Sequence, residues 1–101
     1  MKELTSASFA AGTAQGLTVV DFWASWCGPC RLLSPIVEEL DREMPEVNFA
    51  KVNVDEEPEL SNTYRIDAIP TLVILKDGAM VTQSVGLRSK EELRSLIEGL
   101  K

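Results

Sequence analysis

The chain has 101 residues, 45% of them hydrophobic and 26% charged, enough for one domain spanning 1–101 whose core needs neither disulfide staples nor a structural metal. Its formal net charge of -6 argues against nucleic acid or an anionic membrane as a partner, since both require a basic surface. Histidine is absent, which excludes Ser-His-Asp and Cys-His hydrolases and every His-ligated metal site.

Lys2-Glu3-Leu4-Thr5 reads as a short edge strand. Thr5 or Ser6 can cap a brief helix through Phe9, Ala10 and Ala11, which Gly12 and Gly16 end. Leu17-Thr18-Val19-Val20-Asp21-Phe22-Trp23 is β-branched, aromatic and apolar on both faces, the pattern of a central strand covered by helices on each side. From Cys30 onward, Leu33, Ile36, Val37, Leu40 and Met44 recur every three or four residues and predict a helix with one buried stripe. Pro29 suits its first turn, Pro35 should kink it, and Pro45 is compatible with its end.

Val47 to Val54 reads as the next strand, completing a parallel crossover unit. Asp55 is placed to cap a short helix that runs to about Tyr64. Leu72-Val73-Ile74-Leu75 and Met80 to Val85 are strands joined at Asp77-Gly78, a hairpin signal. Ser89 and Glu92 form a capping box for a last helix that buries Leu93, Leu96, Ile97 and Leu100. The expected architecture is α/β, a mixed sheet of about five strands sandwiched by about four helices. No apolar run can span a bilayer and no N-terminal stretch has signal-peptide character, so the expected location is the cytoplasm.

Cys27 and Cys30 are the only cysteines. Separated by Gly28 and Pro29, they close too small a loop to stabilise the fold, which points to chemistry. Only a thiolate attacks a disulfide, and Cys27, just before the helix, lies where unpaired amides and the helix dipole favour its anion; it is the candidate nucleophile. Cys30, inside the first turn and less exposed, is the candidate resolving thiol. Gly28 would permit a tight turn and close approach of a substrate backbone, and Pro29 would limit the separation of the sulfurs. Asp21, amid apolar neighbours, should have a raised pKa and is a candidate proton acceptor for Cys30, with Lys51 on the neighbouring strand as a modulator of that pKa. Other readings stay open at this point. The thiols could be incidental in a binding subunit, the pair could work as an oxidant or isomerase, or two chains could share a metal or iron-sulfur centre.

Asp21-Phe22-Trp23-Ala24, Trp26-Cys27-Gly28-Pro29-Cys30-Arg31, Pro35, Ala50 to Asp55, Ile69-Pro70-Thr71, Lys76-Asp77-Gly78 and Val85-Gly86 together resemble the thioredoxin family over the whole chain. Trp-Cys-Gly-Pro-Cys followed by Ile-Pro-Thr about forty residues later makes the resemblance specific. It implies the thioredoxin fold and a protein-disulfide reductase that binds no cofactor or metal, works as a monomer, takes electrons from thioredoxin reductase and passes them to disulfide-containing client proteins. It also implies a cis peptide at Ile69-Pro70 beside the disulfide, where the residue before Pro pairs with an extended substrate. Trp26, Ala68, Ile69, Pro70, Val85 and Gly86 would form an apolar docking rim. Trp23 is expected to be structural, giving its indole N–H to Asp55. Arg65, Asp67 and Leu87-Arg88 depart from residues often seen in relatives and should bear on which partner docks.

Overall fold

Along β2 (Leu17–Trp23), successive side chains point to opposite faces, and two separate cores record that alternation. Leu17 and Val19 join Phe49, Leu72 and Ile74 under Leu33, Val37, Leu40, Leu93 and Ile97. Val20 and Phe22 join Ala50, Val52, Val73 and Leu75 under Leu4, Phe9 and Leu60. One face of the sheet is therefore covered by α2 (Gly28–Glu43) and α4 (Lys90–Glu98), the other by α1 (Phe9–Thr13) and α3 (Pro58–Thr63).

The computed structural model describes residues 1–101. Its remaining elements are β1 (Lys2–Glu3), β3 (Asn48–Asn53), β4 (Thr71–Lys76) and β5 (Ala79–Val85). The five strands lie in the order β1-β3-β2-β4-β5, with β1 and β2 parallel to β3, β4 antiparallel to β2, and β5 antiparallel to β4. The expected mixed sheet thus forms with β2 at its centre. Asp77 and Gly78 both take positive φ in a two-residue hairpin that pairs Lys76 with Ala79, the type I′ geometry that an Asp-Gly pair favours.

Three local expectations are corrected. Gly12 does not end α1 but lies inside it, because a Cβ there would stand 2.8 Å from the Leu4 side chain; glycine admits Leu4 to the core. Ser8, rather than Thr5 or Ser6, is the cap residue of α1. Thr5 instead holds the preceding turn, accepting at its carbonyl from Phe9 N–H at 2.9 Å. Nor does Asp55 cap α3: Glu57 holds that position and Pro58 opens the helix, as its missing N–H allows. α2 runs unbroken through Pro35, and the Ser89–Glu92 capping box forms in full.

Candidate active site

β2 ends where α2 begins, and this junction holds both cysteines. Cys27 is the residue before α2, with extended backbone (φ -89°, ψ 110°), and its Sγ accepts a hydrogen bond from the Cys30 backbone N–H at 3.2 Å. The sulfur therefore does what a Ser or Asp side chain does at other helix starts, satisfying an amide the helix leaves free. Cys30 lies in the first turn, bonded to Cys27 in a disulfide with a Cα–Cα distance of 5.3 Å. The expected contrast in exposure is not found: in this oxidised state Cys27 is 4% exposed and Cys30 3%. What separates the two sulfurs is position, one capping the helix and one within it.

The parity of β2 puts Asp21 on the face covered by α2, beneath the disulfide. It pairs across the sheet with Lys51 on one side and Leu72 on the other and is 1% exposed, and its Oδ1 has no hydrogen-bond partner. Burial pushes its pKa from 3.8 up to about 7, against the opposing pull of the Lys51 ammonium. The sequence expectation of a raised carboxylate pKa and a Lys51 neighbour is met. Asp21, Cys30, Lys51, Trp23, Ser25, Arg31 and Ser34 line a common cavity of about 300 Å³.

The Trp23–Asp55 bond expected from sequence does not form. Trp26 Nε1 donates to Asp55 Oδ2 at 2.8 Å, while the Trp23 indole N–H is buried without a partner and its ring lies 5.3 Å from the Lys51 Nζ. Strand parity explains the exchange: Trp23, on the Asp21 face, is carried towards Lys51, whereas Trp26 stands in the following loop near Asp55. Trp26 is nevertheless 66% exposed, so the bond fixes an indole whose face remains open.

The Ile69–Pro70 peptide is cis, and Ile69 packs beside Ala24, Cys27 and Cys30. Trp26, Val54, Ile66, Asp67, Ala68 and Ile69 line a groove of about 170 Å³. Pro70, Val85 and Gly86 do not line that groove: Pro70, expected in the docking rim, is buried, and Gly86 N–H donates to its carbonyl oxygen at 2.8 Å. Arg88 lies elsewhere, paired with Glu92 at 3.7 Å, and Arg65 does not line the groove either, so Asp67 alone of the three charged departures reaches it. Gly28 is corrected as well. A Cβ there would meet nothing within 4 Å and its φ is not left-handed, so no turn within the chain requires glycine; Pro29 sits in the first turn of α2 as expected.

Val54, Ile66 and Ser34 were not singled out by sequence reasoning. Ser34 carried a usable signal, because it lies four residues beyond Cys30 and hence on the same helix face. Val54 and Ile66 fall in stretches that share the family resemblance, but nothing local marks either as a groove wall and not a core residue.

A reducible pair at a helix N-terminus, above a buried carboxylate and beside an open apolar groove, places the chain among the thiol-disulfide oxidoreductases. The thioredoxin family model matches residues 1–99. Thioredoxin of Chlamydia pneumoniae is 47% identical over 96% of this chain and 95% of its own length. Thioredoxin of Bacillus subtilis is 47% identical over 92% of this chain and 90% of its own. Among solved structures, a mutant thioredoxin from Halobacterium salinarum superimposes with a TM-score of 0.92 at 35% identity, covering 97% of this chain and 88% of that one. The chain belongs to the thioredoxin family. It is accordingly a protein-disulfide reductase, supplied by thioredoxin reductase and acting on disulfide-containing proteins without a bound cofactor.

Proposed function

We propose that Cys27 is the attacking thiol, Cys30 the resolving thiol and Asp21 the proton acceptor for the second step. The observation that carries the assignment is the hydrogen bond from Cys30 N–H to Cys27 Sγ at the start of α2. Once the disulfide is reduced, an anion on that sulfur keeps the amide donor and the positive end of the helix dipole. Cys30 has no such position; it shares the cavity with Asp21, whose pKa of about 7 suits a group that must accept and return a proton near neutrality.

In the first step Cys27 thiolate attacks one sulfur of a client disulfide, forming a mixed disulfide and expelling the other client sulfur as a thiolate. In the second, Cys30 gives its proton towards Asp21 and attacks Cys27 Sγ. The mixed disulfide breaks, its electron pair leaves on the remaining client sulfur, and the Cys27–Cys30 bond closes. Pro29 limits how far the sulfurs separate between steps, and Gly28 leaves their approach open to a substrate backbone. Lys51 keeps the Asp21 pKa from rising further.

The client lies, in this reading, as an extended segment beside Ile69, whose N–H and C=O make no hydrogen bond within the protein. Backbone pairing there gives affinity without sequence preference. Trp26, Ala68, Val85 and Gly86 provide apolar contact, the buried Pro70 takes no part in it, and Asp67 tunes client choice. The working unit is a monomer, because one chain supplies every group named. Its place of action is the cytoplasm, where thiol pools keep such a pair reduced. Dithiothreitol-driven reduction of insulin tests the assignment: Cys27→Ser should lower turnover at least ~100-fold, since it removes the nucleophile, and retained activity would contradict it.

A further inference from the structure

Ser34 is the one hydroxyl-bearing helical residue that lines the Asp21 cavity. It sits one turn beyond Cys30 on α2, so the two side chains occupy the same helix face. Three of the other helical hydroxyls turn back on their own backbone: Thr13 Oγ1 donates to Phe9 O at 3.0 Å, Ser61 Oγ to Glu57 O at 3.2 Å and Thr63 Oγ1 to Glu59 O at 2.9 Å; Ser95 on α4 does not, but it lies outside the Asp21 cavity. Ser34 makes no such bond to Cys30 O, and its hydroxyl is left free beside the cavity. Across that cavity lies the Asp21 carboxylate with Oδ1 unpartnered. The space between, about 300 Å³, is roomy enough for several waters at about 30 Å³ each. A hydroxyl both donates and accepts, so it can join a chain that carries a proton in either direction.

We propose that Ser34 is a positioning residue for the resolving step, its hydroxyl organising the water path along which the Cys30 proton reaches Asp21. The proposal rests on the reading of Asp21 as proton acceptor. In the step, the Cys30 S–H bond breaks, a proton passes through water ordered by Ser34 Oγ, and an O–H bond forms on the Asp21 carboxylate. Cys30 Sγ then bonds to Cys27 Sγ, and the client sulfur departs with the electron pair of the broken mixed disulfide. No other oxidant or reductant is required. The cations lining the cavity are Lys51 and Arg31, and the Nη2 of Arg31 donates to Ser25 O at 2.7 Å.

The test is a single-turnover reaction of the reduced protein with a symmetrical peptide disulfide in excess, following release of the second peptide thiol across pH 5 to 9. Ser34→Ala should slow that release about tenfold at pH 7, less than the roughly 10²–10⁴-fold that a group accepting the proton itself contributes, because Ser34 acts only through the water it orders. It should also move the inflection of the profile upward. Ser34→Thr, which keeps the hydroxyl, should restore both. In the Asp21→Asn background, Ser34→Ala should cause no further slowing, because both changes act on one path. Slowing by Asp21→Asn with an unchanged rate and profile for Ser34→Ala would overturn the role of Ser34 alone. Equal slowing by Ser34→Ala in both backgrounds would also overturn it, showing an effect on α2 unrelated to the carboxylate. An unchanged release rate in Asp21→Asn would instead bring down the proton-acceptor reading on which the proposal stands.

Discussion

Asp21 holds its proton in the folded protein up to about pH 7, whereas its ordinary value is 3.8, and that difference fixes how stability responds to pH. Between those values the folded state binds a proton that the unfolded chain has lost, so stability is full below about pH 4, falls as pH rises towards 7 and levels off above. A displacement of about three units corresponds to about 4 kcal/mol. Asp21→Asn should therefore raise stability at pH 8 by a few kcal/mol and flatten the profile, measured by urea unfolding at several pH values, while slowing the resolving step. Lys51→Met removes the one charge that pulls this pKa down, so the inflection should shift above 7 in a carboxyl titration by NMR. The environment of Asp21 was legible in sequence, because a carboxylate between Val19-Val20 and Phe22-Trp23 has few places to go. The indole that binds Asp55 was not: choosing Trp26 over Trp23 requires knowing which face of β2 each side chain takes and where the loop after β3 lies.

At the scale of elements, local chemistry and packing agree most closely in α2 and α4. The stripe Leu33, Val37 and Leu40 is buried as the spacing demands, and α4 begins where Ser89 Oγ accepts from Glu92 N–H at 3.1 Å. Ser89→Ala should cost about 1 kcal/mol, read from the urea midpoint with an unchanged slope, and should leave disulfide exchange unaffected because α4 lies away from the groove. Where an element was misplaced, a competing signal explains it. Asp55 looks like a helix cap by residue type, but Pro58 favours the first helical position, which makes Glu57 the cap and frees Asp55 for Trp26. Gly12 looks like a stop signal, yet its requirement is space for Leu4, a contact between segments that no local pattern reveals.

Over the whole molecule, the sheet order puts β2 at the centre and makes its C-terminal end the meeting point of the nucleophile, the carboxylate and the cis-Pro loop. The central place of β2, the parallel crossover and the hairpin were legible in sequence, though not the full strand order; the groove was not, because its walls come from the β3–α3 loop, the segment after α3 and the active-site loop. Glu43 pairs with both Lys90 and Arg94 and so links the end of α2 to α4, but exposed pairs of this kind contribute little to stability. The function rests instead on an asymmetry between two chemically identical side chains, one capping a helix and the other within it. Trapping measures that asymmetry directly. Cys30→Ser and Cys27→Ser proteins are each incubated with a peptide disulfide and analysed by intact mass and peptide mapping. Cys30→Ser should accumulate a stable adduct on Cys27, and Cys27→Ser should react at least ~100-fold more slowly, as expected for a thiol without the helix-start position. Comparable rates of adduct formation on Cys30 would contradict the assignment.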